Sequence, residues 1–206
     1  MVARKFDRKA GKKSAKKVPK TVAKKTAVRA KSTATKVAAA RSAGFRARRP
    51  KPIVLWINHL GLLAGDPSVT VSFNAVNSNV GGGLSGLVIE SSTTGAFAQG
   101  GGGKGVETGV EVPPGYLIKG VRLCYELSNS RSFVSQIRLA QLQNPPSTAL
   151  VLLDDPTNLT NPGPVCVNSQ STSINPGTGG VRLSLFVDFG DTSDRIVIRG
   201  VGLMLA

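Results

Sequence analysis

The chain has 206 residues, a formal net charge of +16, 24 glycines and 12 prolines. This length accommodates one ordinary domain with a terminal segment and argues against two full domains. No apolar run approaches the roughly 18 residues of a transmembrane helix, and the N-terminus lacks the apolar core of a secretory signal peptide. We therefore expect an intracellular protein without a membrane span.

The charge is strongly segregated along the chain. Residues 1–51 hold 19 of the 27 lysines and arginines and a single acid, Asp7, whereas residues 52–206 carry a formal charge of −2. A block of like charges repels itself and buries too little apolar surface to fold alone. The sequence thus predicts a disordered basic arm over residues 1–51 and a folded domain over residues 52–206.

The composition of the arm favours binding to RNA or DNA. Each cation that pairs with a phosphate releases condensed counterions, so affinity grows with the number of contacts and falls with salt. Phe6 and Phe45 are the arm's two aromatic residues, so base stacking adds little and sequence specificity is low. The predicted nucleic-acid-binding residues are Arg4, Lys5, Arg8, Lys9, Lys12, Lys13, Lys16, Lys17, Lys20, Lys24, Lys25, Arg29, Lys31, Lys36, Arg41, Arg46, Arg48, Arg49 and Lys51.

Paired lysines separated by small residues recur in the arm, at residues 12–17 and 24–29. These stretches resemble the Lys/Ala/Pro-rich tails of linker histones, which implies packaging rather than sequence-specific regulation. Three alternatives remain for the same segment. An acid-poor N-terminus also fits an organelle transit peptide, and a charge run also serves as a passive solubilising tail or contacts an anionic membrane.

Past Pro52 the pattern changes to short, β-branched runs separated by glycine, proline, asparagine and serine. This pattern is typical of an all-β protein, and we predict an antiparallel β-sandwich that is jelly-roll-like. The predicted strands are 53–56, 68–73, 87–90, 106–112, 116–127, 133–141, 149–153, 165–167, 181–189 and 195–205.

Two segments indicate which residues line the core. Alternate residues of a strand share a face, so the odd-numbered residues of 181–189 and, in 116–127, Leu117, Val121, Leu123 and Tyr125 are expected to point inward. The turn-rich interval 190–194 further predicts that strands 181–189 and 195–205 form an antiparallel hairpin.

A basic arm of about 50 residues followed by a β domain of about 155 resembles the layout of coat proteins of small icosahedral RNA viruses. In that family a jelly-roll domain builds the shell and the arm holds the genome. The resemblance implies a self-assembling homo-oligomer, located in a virion, whose long loops contact other subunits.

Catalytic motifs are missing from the sequence. His59 is the single histidine, no G-x-S-x-G occurs, and the residue after Lys104 is glycine rather than the serine or threonine that a P-loop requires. We interpret His59 as a surface or packing residue and predict that the protein is not an enzyme and needs no organic cofactor.

Two further sites are suggested by residue type. Asp188, Asp191 and Asp194 are spaced D-x-x-D within one turn region, and hard carboxylate oxygens of this kind bind Ca²⁺. In the coat proteins compared above, such pairs hold calcium between subunits; turn-forming aspartates are the alternative. Cys124 and Cys166 either form a disulfide or remain reduced, and their spacing excludes a zinc finger.

Four functional interpretations follow. The first is the coat-like protein whose arm neutralises nucleic acid. The second is a cellular nucleic-acid-binding protein whose histone-like tail is tethered to a β-sandwich that binds a ligand or another protein. The third is a passive tail or transit peptide on a carbohydrate-binding or surface sandwich, and the fourth is an enzyme.

Overall fold

The computed structural model describes residues 51–73, 86–98, 101–143 and 148–206. Residues 1–50 of the predicted arm therefore lie outside the described residues, and so do their predicted nucleic-acid contacts. Lys51 alone of that set is described, and it is exposed. The division of the chain at residue 51 stays a prediction.

Short β-branched runs form strands where the sequence predicted them, because branched side chains suit a pleated, half-buried surface. The strands are β1 (Ile53–Ile57), β2 (Leu63–Ala64), β3 (Val69–Phe73), β4 (Leu87–Ser91), β5 (Gly105–Val110), β6 (Ile118–Leu127), β7 (Phe133–Leu142), β8 (Ala149–Asp155), β9 (Val165–Asn168), β10 (Val181–Asp188) and β11 (Ile196–Leu205). Short 3₁₀ turns occur at His59–Gly61 and Pro176–Thr178.

The strands form two antiparallel sheets. The first has the order β3-β4-β11-β6-β9, with β1 also paired to β11; the second has the order β2-β5-β10-β7-β8. The pairs β4–β11, β5–β10, β6–β9 and β7–β8 nest inside one another and alternate between the sheets. This nesting is the topology of a jelly roll, so the predicted antiparallel, jelly-roll-like β-sandwich is confirmed.

The core lies between the sheets and follows the predicted alternation. In β10 and the residue after it, all five predicted inward residues are buried, with Leu183, Leu185 and Phe189 at 0 % exposure. In β6 the prediction fails at one place. The pairing with β11 shifts register near Met204, so Ile118 is buried and Leu117 is half-buried.

The predicted hairpin between 181–189 and 195–205 is wrong. β10 pairs with β5 and β7 in the second sheet, whereas β11 pairs with β1, β4 and β6 in the first. The intervening turn therefore carries the chain across the sandwich. Within the described part of the chain, no helix is long and apolar enough to cross a membrane.

Candidate ligand-binding cleft

An open cleft of about 390 Å³ lies where the edges of the two sheets meet. One wall comes from β1 and the turn after it, the other from β5 and the residue after it. The lining residues are Leu55, Trp56, Ile57, Asn58, Gly61, Thr108, Gly109, Val110 and Glu111. We call this feature the Trp56 cleft.

Trp56 points outward because its neighbours in β1 point inward. Leu55 and Ile57 pack against the core, so strand alternation directs the indole to the outer surface, where the residue is 54 % exposed. A Cβ at Gly200 would lie 3.2 Å from indole Cζ3, and one at Gly202 would lie 3.3 Å from Cε3. These two glycines of β11 therefore let the indole approach the sheet closely.

Sequence reasoning did not single out Trp56. The run Ile53–Ile57 is apolar throughout, so no polar residue marks the outward face. The signal that was available is that Trp56 is the single tryptophan of the chain, with both neighbours aliphatic.

Three polar residues line the cleft together with Trp56, and each keeps hydrogen-bonding capacity. Asn58 Oδ1 accepts from Leu60 N at 3.2 Å, which leaves its Nδ2 group as a donor. Thr108 Oγ1 donates to Gly109 O at 3.2 Å and retains its lone pairs as acceptors. Glu111 is exposed and presents a carboxylate.

The strand edge beside the cleft adds backbone groups. β2 pairs with β5 at Val106 and Glu107, while residues 108–110 pair with β10 on the other side. Within the described ranges no strand pairs with the cleft-side edge at 108–110. An unpaired strand edge presents N–H and C=O groups that a ligand can bond.

His59 borders the cleft in the turn that follows β1. Its Nε2 atom is buried, and no hydrogen-bond partner for it lies among the described residues. Burial lowers the pKa of His59 and so favours the neutral imidazole. A half-buried, neutral imidazole fits the packing role predicted for it.

The aspartates of the predicted calcium site bond mainly to other protein groups. Asp194 accepts from Arg131 Nε at 2.8 Å and from Ser132 Oγ at 2.6 Å. Asp191 accepts from Ser193 N at 2.9 Å and lies 3.3 Å from Arg131 Nη2. The hydrogen bond from Arg131 is the largest cause of the lowered pKa of Asp194. We call Arg131, Ser132, Asp191 and Asp194 the turn network.

Asp188 ends β10, opposite Phe133 of β7. The structure does not assemble Asp188, Asp191 and Asp194 into a metal site, and among the described residues no group of three histidine, cysteine, aspartate or glutamate residues is placed to hold an ion. The physical reason is that Arg131 supplies the positive charge that Asp191 and Asp194 would otherwise draw from a cation.

Cys124 and Cys166 are joined by a disulfide. The two residues face each other in the pairing of β6 with β9, and the bond links positions that are 42 residues apart in the sequence. The disulfide therefore ties β9, at the end of the strand order, to its neighbour β6.

Lys104 follows the glycine-rich run 101–103, and the structure buries it fully. Its Nζ donates to Thr93 O at 2.6 Å and to Thr94 O at 3.0 Å, which anchors the segment before β5. Desolvation lowers the pKa of Lys104, while Asp66 and Asp188 act to raise it. Its hydrogen bonds and these carboxylates offset the cost of burying the ammonium group.

No protein-family model and no curated protein matches the sequence. Among solved structures, the chain is similar to CBM22-1 and GH10 modules of Clostridium thermocellum xylanase 10B complexed with xylohexaose, at 10 % identity and a TM-score of 0.47. This match covers 75 % of the chain and 28 % of the xylanase chain, so the chain spans under a third of that protein.

Two smaller proteins also match over 75 % of the chain. Carbohydrate-binding module CBM36, in complex with calcium and xylotriose, is 9 % identical over 99 % of its length, with a TM-score of 0.41. A family 29 carbohydrate-binding module is 13 % identical over 88 % of its length, with a TM-score of 0.37. At such scores these likenesses transfer no site residues to this chain.

These comparisons contradict the prediction of a coat-like, nucleic-acid-binding protein located in a virion. The matching structures are described as carbohydrate-binding modules. The prediction rested on the charge of residues 1–51 and on the overall layout, whereas residues 52–206 carry a formal charge of −2. A jelly roll is shared by unrelated functions, so layout alone was a weak guide.

Proposed function

We propose that the β-sandwich is a non-catalytic binding module that holds a saccharide in the Trp56 cleft. The observation that carries this proposal is Trp56, a residue 54 % exposed in an open cleft that Asn58, Thr108 and Glu111 also line. The apolar face of a sugar ring stacks on an aromatic ring, and its hydroxyl groups exchange hydrogen bonds with amide, hydroxyl and carboxylate groups. The cleft supplies both kinds of contact.

The size and openness of the cleft also fit this ligand class. A volume of about 390 Å³ lies within the usual range for small-molecule sites, and the cleft is open to solvent. Among the described residues, no lysine or arginine lines the cleft, so a phosphate-bearing ligand would meet Glu111 without a compensating cation from these residues.

The lining also supports binding without hydrolysis. Glycoside hydrolases generally place two carboxyl groups on either side of the scissile bond. Glu111 is the one carboxylate among the described residues that line the cleft. We accordingly propose that the saccharide leaves the cleft unchanged.

Calcium has no role in this proposal. Arg131 already pairs with Asp191 and Asp194, and neither aspartate lines the Trp56 cleft. Saccharide binding is therefore expected to persist in a chelator.

The test is isothermal titration of the full-length protein with neutral oligosaccharides: xylohexaose, cellohexaose and mannohexaose. At least one should bind, and Trp56→Ala should weaken that binding at least about tenfold, which corresponds to roughly 1.4 kcal/mol. Phe97→Ala is the matched control, because Phe97 is 79 % exposed and lies outside the cleft. Absence of binding to all three, or equal losses in both variants, would contradict the proposal.

A further inference from the structure

A second depression adjoins the Trp56 cleft. It has a volume of about 290 Å³ and lies against the second sheet, and its lining includes Ala140, Leu142, Gly180 and Arg182. We call it the Arg182 trough. Gly109 lines both the trough and the Trp56 cleft, so the two depressions meet at this residue of β5.

The fold itself does not require a glycine at position 109. A Cβ built on it would have no heavy atom within 4 Å, and its backbone does not adopt the left-handed conformation that favours glycine. A glycine inside a strand weakens the strand and often marks a place where a ligand approaches closely. A side chain at Gly109 would project into open space at the residue that both depressions share.

The strand register places the trough directly beside Gly109. Arg182 of β10 pairs with Gly109 on one side and with Ala140 of β7 on the other. Residues paired in this way are neighbours across a sheet, about 5 Å apart. A row running from Gly109 over Arg182 to Ala140 therefore continues the path from the Trp56 cleft onto the second sheet.

Charges along this path favour an uncharged ligand. Arg182 Nη1 lies 3.2 Å from Glu107 Oε2, so the cation of the trough already has a carboxylate partner. Glu111 adds a further negative charge at the Trp56 cleft. The guanidinium of Arg182 can still donate to sugar hydroxyls through its remaining N–H groups.

We propose that the ligand is an extended, unbranched and uncharged glycan chain that stacks on Trp56, crosses β5 at Gly109 and ends in the Arg182 trough. This inference rests on the proposed function, because it extends the same binding site. It distinguishes a polysaccharide, which occupies both depressions, from a monosaccharide or short oligosaccharide that occupies the Trp56 cleft alone.

Chain length is the first variable of the test. Full-length wild-type protein is titrated with xylotriose and xylohexaose, and with the corresponding β-1,4-linked glucose and mannose oligomers. The longer chain of the preferred series should bind at least about tenfold tighter than the shorter one. Equal affinity for both lengths would overturn the extended path.

Two glycine variants locate the path. Gly180→Val, in the trough, should reduce the affinity for the longer chain to that of the shorter chain and leave the shorter chain unaffected. Gly109→Val, at the crossing, should weaken the longer chain at least as much. A Cβ at either position meets open space, so both variants should fold. Ser72→Val, at an exposed site of β3, is the control.

The outcomes separate the two proposals. If no neutral oligosaccharide binds the wild-type protein, both fail. If binding depends on Trp56 but Gly180→Val and Gly109→Val bind the longer chain normally, the extended path fails and the saccharide-binding cleft stands. An oligogalacturonate of matched length should not displace the neutral chain from Trp56; displacement would overturn the assignment to uncharged glycans.

Discussion

The turn network and the Trp56 cleft both contain polar side chains, but they use them differently. In the turn network Asp194 is buried and accepts from Arg131 and Ser132. In the Trp56 cleft, Asn58 and Glu111 are exposed, Asn58 keeps its Nδ2 group as a donor, and Trp56 lines the same cleft and is half-exposed. Polar groups that bond to one another stabilise this fold, whereas polar groups with spare hydrogen-bonding capacity in a cleft that also holds an aromatic residue are available to a ligand.

The largest expected loss of stability comes from a substitution in another buried ion pair, between Arg199 and Glu126. Arg199 Nη2 lies 2.7 Å from Glu126 Oε2, and both side chains are 8 % exposed. Glu126→Ala removes the buried carboxylate that accepts from Arg199 Nε and Nη2, and breaking a buried pair of this kind should lower the free energy of unfolding, measured in urea, by about 3 to 5 kcal/mol. Asp154→Ala removes the more exposed pair with Arg138 and should cost under about 1 kcal/mol. Similar losses in the two variants would contradict this account of burial.

Asp194→Ala is expected to have the next largest effect. It removes hydrogen bonds from Arg131 and Ser132 to a buried carboxylate, and such charged hydrogen bonds typically contribute about 2 kcal/mol. The lowered pKa of Asp194 makes its contribution present above the usual aspartate pKa and lost as pH falls through the folded value. Urea unfolding at neutral and acidic pH should show that the free energies of unfolding of the wild-type protein and Asp194→Ala become similar in acid. A constant difference across that range would argue against the role of the ionised carboxylate.

Trp56→Ala should change ligand binding much more than stability, unlike Asp194→Ala in the turn network. The indole is half-exposed, so its removal should cost only about 1 kcal/mol of stability while abolishing most saccharide binding. Thermal unfolding gives the first quantity and isothermal titration the second. A large loss of stability with unchanged binding would show that Trp56 serves the fold rather than the ligand.

Substitution of His59 should have the smallest effect on stability. Burial lowers its folded pKa below the unfolded value of about 6.5, so the unfolded state binds the proton more readily. Stability should therefore decline as pH falls below about 6.5 and level off below the folded pKa. Because His59 is the single histidine, His59→Gln should remove this slope between about pH 7.5 and 5.5. An unchanged slope in the variant would assign it to other groups.

The sequence predicted the sandwich well because alternation is a local property. Val181, Leu183 and Leu185 point inward as their spacing indicates. The turn after Phe189 was also recognisable, but turn residues show only that the chain reverses. They do not show whether the next strand pairs in the same sheet, and here it crosses to the other one.

The cleft could not be predicted because its parts are distant in sequence. Trp56 and Glu111 line the same cleft only because β1 packs beside β5. The run around Trp56 is apolar throughout, so the sequence does not show which of its residues point outward. The burial of Lys104 could not be predicted for a related reason. A lysine among glycines is normally exposed, and its burial depends on carbonyls of Thr93 and Thr94 some ten residues earlier.

The most direct measurement is the fluorescence of Trp56 during titration of the full-length protein with xylohexaose, cellohexaose and mannohexaose. The chain has a single tryptophan, so its emission reports on the cleft alone. We predict a saturable change of the emission maximum with at least one of these sugars, as a sugar ring displaces water from the indole. Emission that stays unchanged through all three titrations would contradict the assignment of the Trp56 cleft as a saccharide site.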